Sequence, residues 1–206
     1  MLNILSFMST KGEETRQRIL DGALNLASTQ GIEGVTIGEL ASALDLSKSG
    51  LFAHFRSKEA LQIAVLRTAA ERFTRLVIVP ALKAPRGEPR VRALFERWLT
   101  WVISEEIPGG CIFITAAAEL DDRPGPVRDV LVQSQKDLLG TVAHAARIAV
   151  DEGHFRADLD LEQFAFELYA VLLSFHHATR LMRDPRAKER AQRTFERLIA
   201  SARSPH

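Results

Sequence analysis

Between Thr36 and Phe55 two apolar pairs lie four apart, Leu40 with Leu44 and Leu51 with Phe55. That spacing brings side chains together on one face of an α-helix, so the stretch reads as two short helices closing on one small core. Ser47 stands between them as a cap, and Ser57-Lys58-Glu59 opens a third helix. Outside the core, the second helix keeps Lys48, Ser49, Phe52 and Ala53. A small, polar and cationic face of this kind suits a helix laid into the major groove of DNA.

The rest of the chain also reads as helix, and no run shows sustained period-two alternation. Thr15 to Thr29 carries Ile19, Ala23, Leu26 and Ala27 at helical spacing and stops at Gly31. Thr36 with Glu39 three residues on forms a capping box. A long helix is expected from Lys58 to about Val79, ended by Pro80. The turn-rich Pro80–Pro89 stretch then marks a break. Further helices are expected over 90–106, 111–121, 127–152, 161–182 and 186–202, each stopped by Gly or Pro. The expected fold class is therefore all-α, with about nine helices. A flexible arm would occupy 1–12, a three-helix helix-turn-helix domain 13–60, and a helical bundle 61–206.

Composition narrows the partners. A formal charge of +1 weighs against a basic coating protein, and residues 1–80 hold nine Lys/Arg against eight Asp/Glu. Any nucleic-acid contact must come from a local patch. The lone cysteine, Cys111, can make no internal disulfide, which favours a reducing cytoplasm. Residues 1–8 lack the basic start, apolar core and cleavage site of a secretory leader, and Met8 is an alternative start. The apolar run Phe164–Phe175 contains Glu167 and is too short to cross a bilayer.

The segment Thr15-Arg16-Gln17-Arg18-Ile19-Leu20-Asp21-Gly22-Ala23, then Gly31, Thr36-Ile37, Leu46-Ser47-Lys48-Ser49-Gly50-Leu51-Phe52-Ala53-His54-Phe55 and Ser57-Lys58-Glu59-Ala60-Leu61, resembles the TetR/AcrR family of transcriptional regulators. The resemblance is dense over residues 13 to 66 and, beyond them, is one of helix number and length. It implies that Thr36 and Ser47 meet phosphates at helix N-termini. Lys48 and Ser49 would meet base edges or the groove rim, Phe52 a sugar or thymine methyl, and His54 and Lys58 the outer phosphates. Phe52 stands where the family usually has tyrosine, so one phosphate hydrogen bond is missing. Gly50 costs about 1 kcal/mol against alanine inside a helix and offers closer approach to the groove. For Thr36, Ser47 and Ser57 plain capping is the competing reading. Solvated surface positions compete for Lys48, His54 and Lys58.

In the C-terminal half, Leu161, Phe164, Ala165, Leu168, Leu172 and Phe175 share one side of their helix, beside Tyr169, His176 and Thr179. The last helix offers Ala191, Thr194, Phe195, Leu198 and Ile199. The resemblance implies a homodimer whose four-helix seam uses Leu161, Ala165, Leu168, Leu172, His176, Thr194, Phe195 and Leu198. The competing reading turns these stripes into the monomer's own core. A two-fold dimer would read a palindromic operator in double-stranded DNA. The effector pocket expected from the resemblance draws on Phe73, Trp98, Trp101 and Val102, on Phe113, Ile114 and Ala117, on Leu138 and Val142, and on Phe166 and Tyr169. Such a lining fits a small apolar or aromatic effector, against the alternative of a packed core. Glu119, His144 and Arg147 read as surface groups.

No cofactor or metal is expected. Cys111 follows Gly109-Gly110 at a helix start, a setting that lowers a thiol pKa, but it has no second cysteine. His176 and His177 point about 100° apart on a helix. Glu119, Asp121 and Asp122 look like a solvated helix end. The expected function is a ligand-responsive repressor. Its rivals are a constitutive DNA-binding protein and a small helical enzyme with a vestigial helix-turn-helix. The enzyme lacks support: there is no Gly-rich phosphate loop, metal-ligand spacing or nucleophile-base pair in the sequence.

Overall fold

Each short front helix is fixed by a hydroxyl at its start. The computed structural model describes residues 11–203. Helix α1 spans Lys11–Gln30, beginning before the expected Thr15, so Lys11 and Gly12 belong to it; the remainder of the expected arm, with Met8, lies outside the described residues. Gly31, at φ +86°, turns the chain away. Thr36 Oγ1 accepts from Glu39 N (3.2 Å) to start α2, Ile37–Leu44. Ser47 Oγ accepts from Gly50 N (3.1 Å) to start α3, Lys48–His54. Ser57 Oγ accepts from Ala60 N (3.0 Å) to start α4, Lys58–Phe73.

Pro80 does not end this rod. A π-helical turn, Thr74–Ile78, leads into α5, Val79–Ala81, and Val79 N reaches back to Thr74 O. The wider turn absorbs the proline, which has no N–H to give. Helix α6 is Glu88–Val102, ending before the expected Glu106, and α7 is Ile112–Leu120. Helices α8 (Pro126–Asp151), α9 (Leu161–Arg180) and α10 (Ala187–Ala202) complete the bundle. Counting α4, the π turn and α5 as one rod, there are nine helical rods among the described residues.

One apolar core runs through both halves, from Leu40 and Leu51 through Leu61 and Val65 to Trp98, Phe164 and Leu172. Helix α4 packs on α1 in front and on α8 behind, and α9 lies between α8 and α10. Phe95 of α6 stacks on Phe195 of α10 with centroids 3.9 Å apart. Beside them Arg203 and Arg92 both pair with Glu88 (2.6 and 2.7 Å). The Arg203 hydrogen bonds, against the cost of burial and with Arg92 assisting, hold the Glu88 carboxyl below its ordinary pKa. No described helix is long and apolar enough to cross a membrane.

Candidate nucleic-acid interface

Helix α3 buries Leu51 completely and is capped by Phe55, itself 3% exposed. With those two turned inward, Lys48, Ser49 and Ala53 stand in solvent and Phe52 is 52% exposed. Phe52 is the one large apolar side chain that α3 leaves in solvent. Lys48 leans toward the start of α2, where a methyl placed on Gly38 would lie 3.7 Å from Nζ and 3.9 Å from Thr36 Oγ1. The structure thereby brings Thr36, Lys48 and the Ser47–Ser49 hydroxyl pair (3.2 Å) to one end of the domain. His54 is half-buried beside Phe55, with ring centroids 6.4 Å apart. Gly50 has a local reason as well: a methyl there would sit 3.1 Å from the Ser47 oxygen that caps the helix.

Lys58 is the exception. Its ammonium donates to Glu33 O (2.7 Å) and Glu33 Oε2 (3.4 Å), so it braces the turn between α1 and α2. Arg16 was passed over in the sequence; it lies across the Phe55 ring at 5.1 Å and adds a cation near the end of α3. Its position on α1, far from the reading segment in sequence, gave no signal.

Behind this domain, most of the residues expected to line a pocket do meet. Phe73 makes edge-to-face contacts with Trp98 and Trp101, both at 5.3 Å, and Tyr169 lies against Trp98 at 6.0 Å. Val102, Phe113 and Val142 are buried with them, while Ile114, Ala117 and Leu138 pack on the edge of the core. Tyr169 donates to Gln135 Oε1 (3.0 Å), and Gln135 donates on to Phe113 O (3.1 Å). Burial, reinforced by the nearby Cys111, pushes the Tyr169 pKa up to about 12. The indole N–H groups of Trp98 and Trp101 are buried without a hydrogen-bond partner. Trp101 N–H comes near enough to the Cys111 sulfur to favour its charged form, but at a geometry that makes no hydrogen bond. Burial outweighs it and raises the Cys111 pKa, so the thiol at this helix start is not activated.

Phe166 does not belong to this cluster. It is 65% exposed on the far side of α9, because Phe164 and Ala165 take the inward positions. The same rotation turns most of the expected dimer seam inward. Leu161, Ala165, Leu168, Leu172 and His176 are buried in the monomer's own core, as are Phe195 and Leu198 of α10; only Thr194 of that set is exposed. What stays open is a groove of about 610 Å³ between α9 and α10, with Phe166, Ala170, Ser174, Thr194, Arg197 and Ser201 along it. Leu173 is also exposed on α9. His144 and Arg147 are exposed on α8, whereas Glu119 is half-buried and takes two backbone N–H groups of the front domain.

Two family models match. Residues 19–65 match the bacterial regulatory proteins of the tetR family, and residues 87–195 match the Tetracyclin repressor-like C-terminal domain. The chain belongs to the TetR family of transcriptional regulators. Among curated TetR-type relatives, the HTH-type transcriptional regulator AcrR of Shigella flexneri is 33% identical over 79 residues, 38% of this chain and 36% of AcrR. The HTH-type transcriptional repressor NemR of Escherichia coli K12 is 22% identical over 189 residues, 91% of this chain and 95% of NemR. A TetR transcriptional regulator from Chloroflexus aurantiacus J-10-FL shares the fold at a TM-score of 0.82 and 23% identity, covering 92% of this chain and 94% of that one.

Proposed function

We propose that this TetR-family chain is a cytoplasmic repressor that binds a palindromic operator as a homodimer and lets go when a small molecule enters the aromatic core. The exposed Lys48-Ser49-Phe52 face of α3 carries the reading, since its opposite side is committed to Leu51 and Phe55. Thr36 and Ser47 add two helix N-termini at the same end, where a phosphate is favoured. The small net charge fits a reader of local contacts better than a coating protein.

The open apolar stripe of α9, Phe166 with Ala170 and Leu173, is the seam we assign to the second copy. Two copies joined there would present their α3 helices to half-sites about one DNA turn apart. For the effector, the ring cluster favours a hydrophobic or aromatic body, and the unpartnered Trp98 and Trp101 N–H groups favour one that carries acceptor oxygens. Release then requires that this molecule bind the DNA-free arrangement more tightly.

Selection of bound duplexes from a random pool, at moderate salt, tests the reading. Enrichment of one palindrome by a dimeric protein is expected. A folded protein that enriches no sequence overturns it.

A further inference from the structure

Helix α7 is fastened to the front domain at both ends. Before its first turn, Gly109 donates its N–H to the buried Ser28 Oγ of α1 at 3.0 Å. The approach is so close that a methyl on Gly109 would fall 1.5 Å from the Ser28 carbonyl oxygen, so only glycine fits. At its last turn the Glu119 carboxylate accepts from Ile32 N (3.0 Å) and Glu33 N (2.9 Å), one oxygen to each. Gly31 makes room for it: a methyl there would lie 2.5 Å from Glu119 Oε1.

The gripped turn is the one from which α2 hangs, since Thr36 caps that helix three residues after Glu33. From the other side α4 holds the same turn through Gln62, which donates to Ile32 O (3.0 Å) and Glu33 Oε1 (2.9 Å). The opposite end of α7 touches the aromatic cluster. Cys111 caps it beside Trp101, and Phe113 O accepts the Gln135 amide that also holds Tyr169. A nine-residue helix, about 13 Å long, therefore joins the aromatic cluster to the clasp at Glu119.

We infer that Glu119 is a positioning residue that couples the aromatic core to the reading helices, its carboxylate carrying movement of α7 into the Gly31–Gly34 turn. The inference rests on the effector-controlled reading above. Coupling between two sites is reciprocal, so operator binding in front must be felt at the core behind. The chain has two tryptophans, Trp98 and Trp101, and both sit in that core, so intrinsic emission reports it.

The experiment titrates full-length dimer with the labelled operator duplex recovered by selection, reading DNA anisotropy and tryptophan emission together. In the wild type, emission is expected to change in step with anisotropy. Glu119→Ala is expected to bind within about tenfold of wild type yet lose the emission change, and Glu119→Gln, which keeps one acceptor oxygen, to retain part of it. A purely structural Glu119 would leave the emission change of any DNA-binding variant intact. Full emission change in Glu119→Ala, or none in a wild type that binds, overturns the inference. A wild type that shifts no anisotropy fails the repressor reading and the coupling together. Amide exchange at Ile32 and Glu33, faster in Glu119→Ala, separately reports whether the clasp forms in solution. Should Glu119→Ala lose its helical circular dichroism, Glu119→Gln carries the same comparison.

Discussion

Helix α3 has seven residues and buries one of them, Leu51; helix α9 has twenty and buries eight. The short helix touches protein along a single line, and everything off that line is free to meet something else. The long one is clasped by α8 and α10, and among the polar residues that it leaves outside stand two large apolar ones, Phe166 at 65% exposure and Leu173 at 39%. Solvent exposure therefore means different things in the two places. On α3 it leaves Lys48 and Ser49 beside a single ring, Phe52; on α9 it leaves Phe166, Ala170 and Leu173 in line along one side.

Neighbouring residues allow that contrast to be broken. Phe164→Ala should lower stability by about 3–5 kcal/mol, because the ring is buried. Phe166→Ala should leave the monomer's stability within about 0.5 kcal/mol, yet raise the dimer dissociation constant at least about tenfold. Thermal melts and sedimentation separate the two, and an unchanged dimer in Phe166→Ala would remove α9 as the seam. In the front domain, Leu51→Ala should cost about 2–4 kcal/mol, whereas Phe52→Ala should cost almost nothing in stability and weaken operator binding. Equal losses of stability at both positions would mean that α3 is packed on both sides.

Smaller effects sharpen the picture. Ser47→Ala should cost about 1 kcal/mol through the lost cap. Burial, aided by Arg180 and His177, holds the His176 pKa below its ordinary 6.5. Unfolded chains then take up the proton first, so stability is full above about pH 6.5 and falls as the pH drops below it. His176→Gln should flatten that part of the melting profile. Smallest in stability are Lys48→Ala and His54→Ala, expected within about 0.5 kcal/mol of wild type while weakening operator binding. If both bind as wild type, α3 is not the reading helix.

The front domain was legible because α2 and α3 are short enough for two apolar residues to settle which side is inside. Leu40 with Leu44 and Leu51 with Phe55 did so, and Thr36, Ser47 and Ser57 cap as their hydroxyls predicted. In α9, apolar residues occupy nearly every direction, so periodicity could not choose between Phe164 and Phe166, or between a core and a seam. Glu119 was illegible for another reason: its partners lie 86 and 87 positions away, and nothing in a local window distinguishes a carboxylate aimed at two amides from one in water. The Lys58 contact was hidden likewise, its partner Glu33 lying across the domain. Pro80, read as a stop, was absorbed by a wider turn that no residue spacing announces.

That wider turn sits directly after Phe73, the ring wedged against both tryptophans. Each residue added to a helical turn loosens its grip, and Pro80 withholds one more backbone bond there. The rod that spans both halves thus has its loosest turn beside the aromatic cluster, on the bundle side of the molecule. From Phe73 the same rod runs back to Lys58, where Ser57 caps its first turn and Glu33 holds the ammonium.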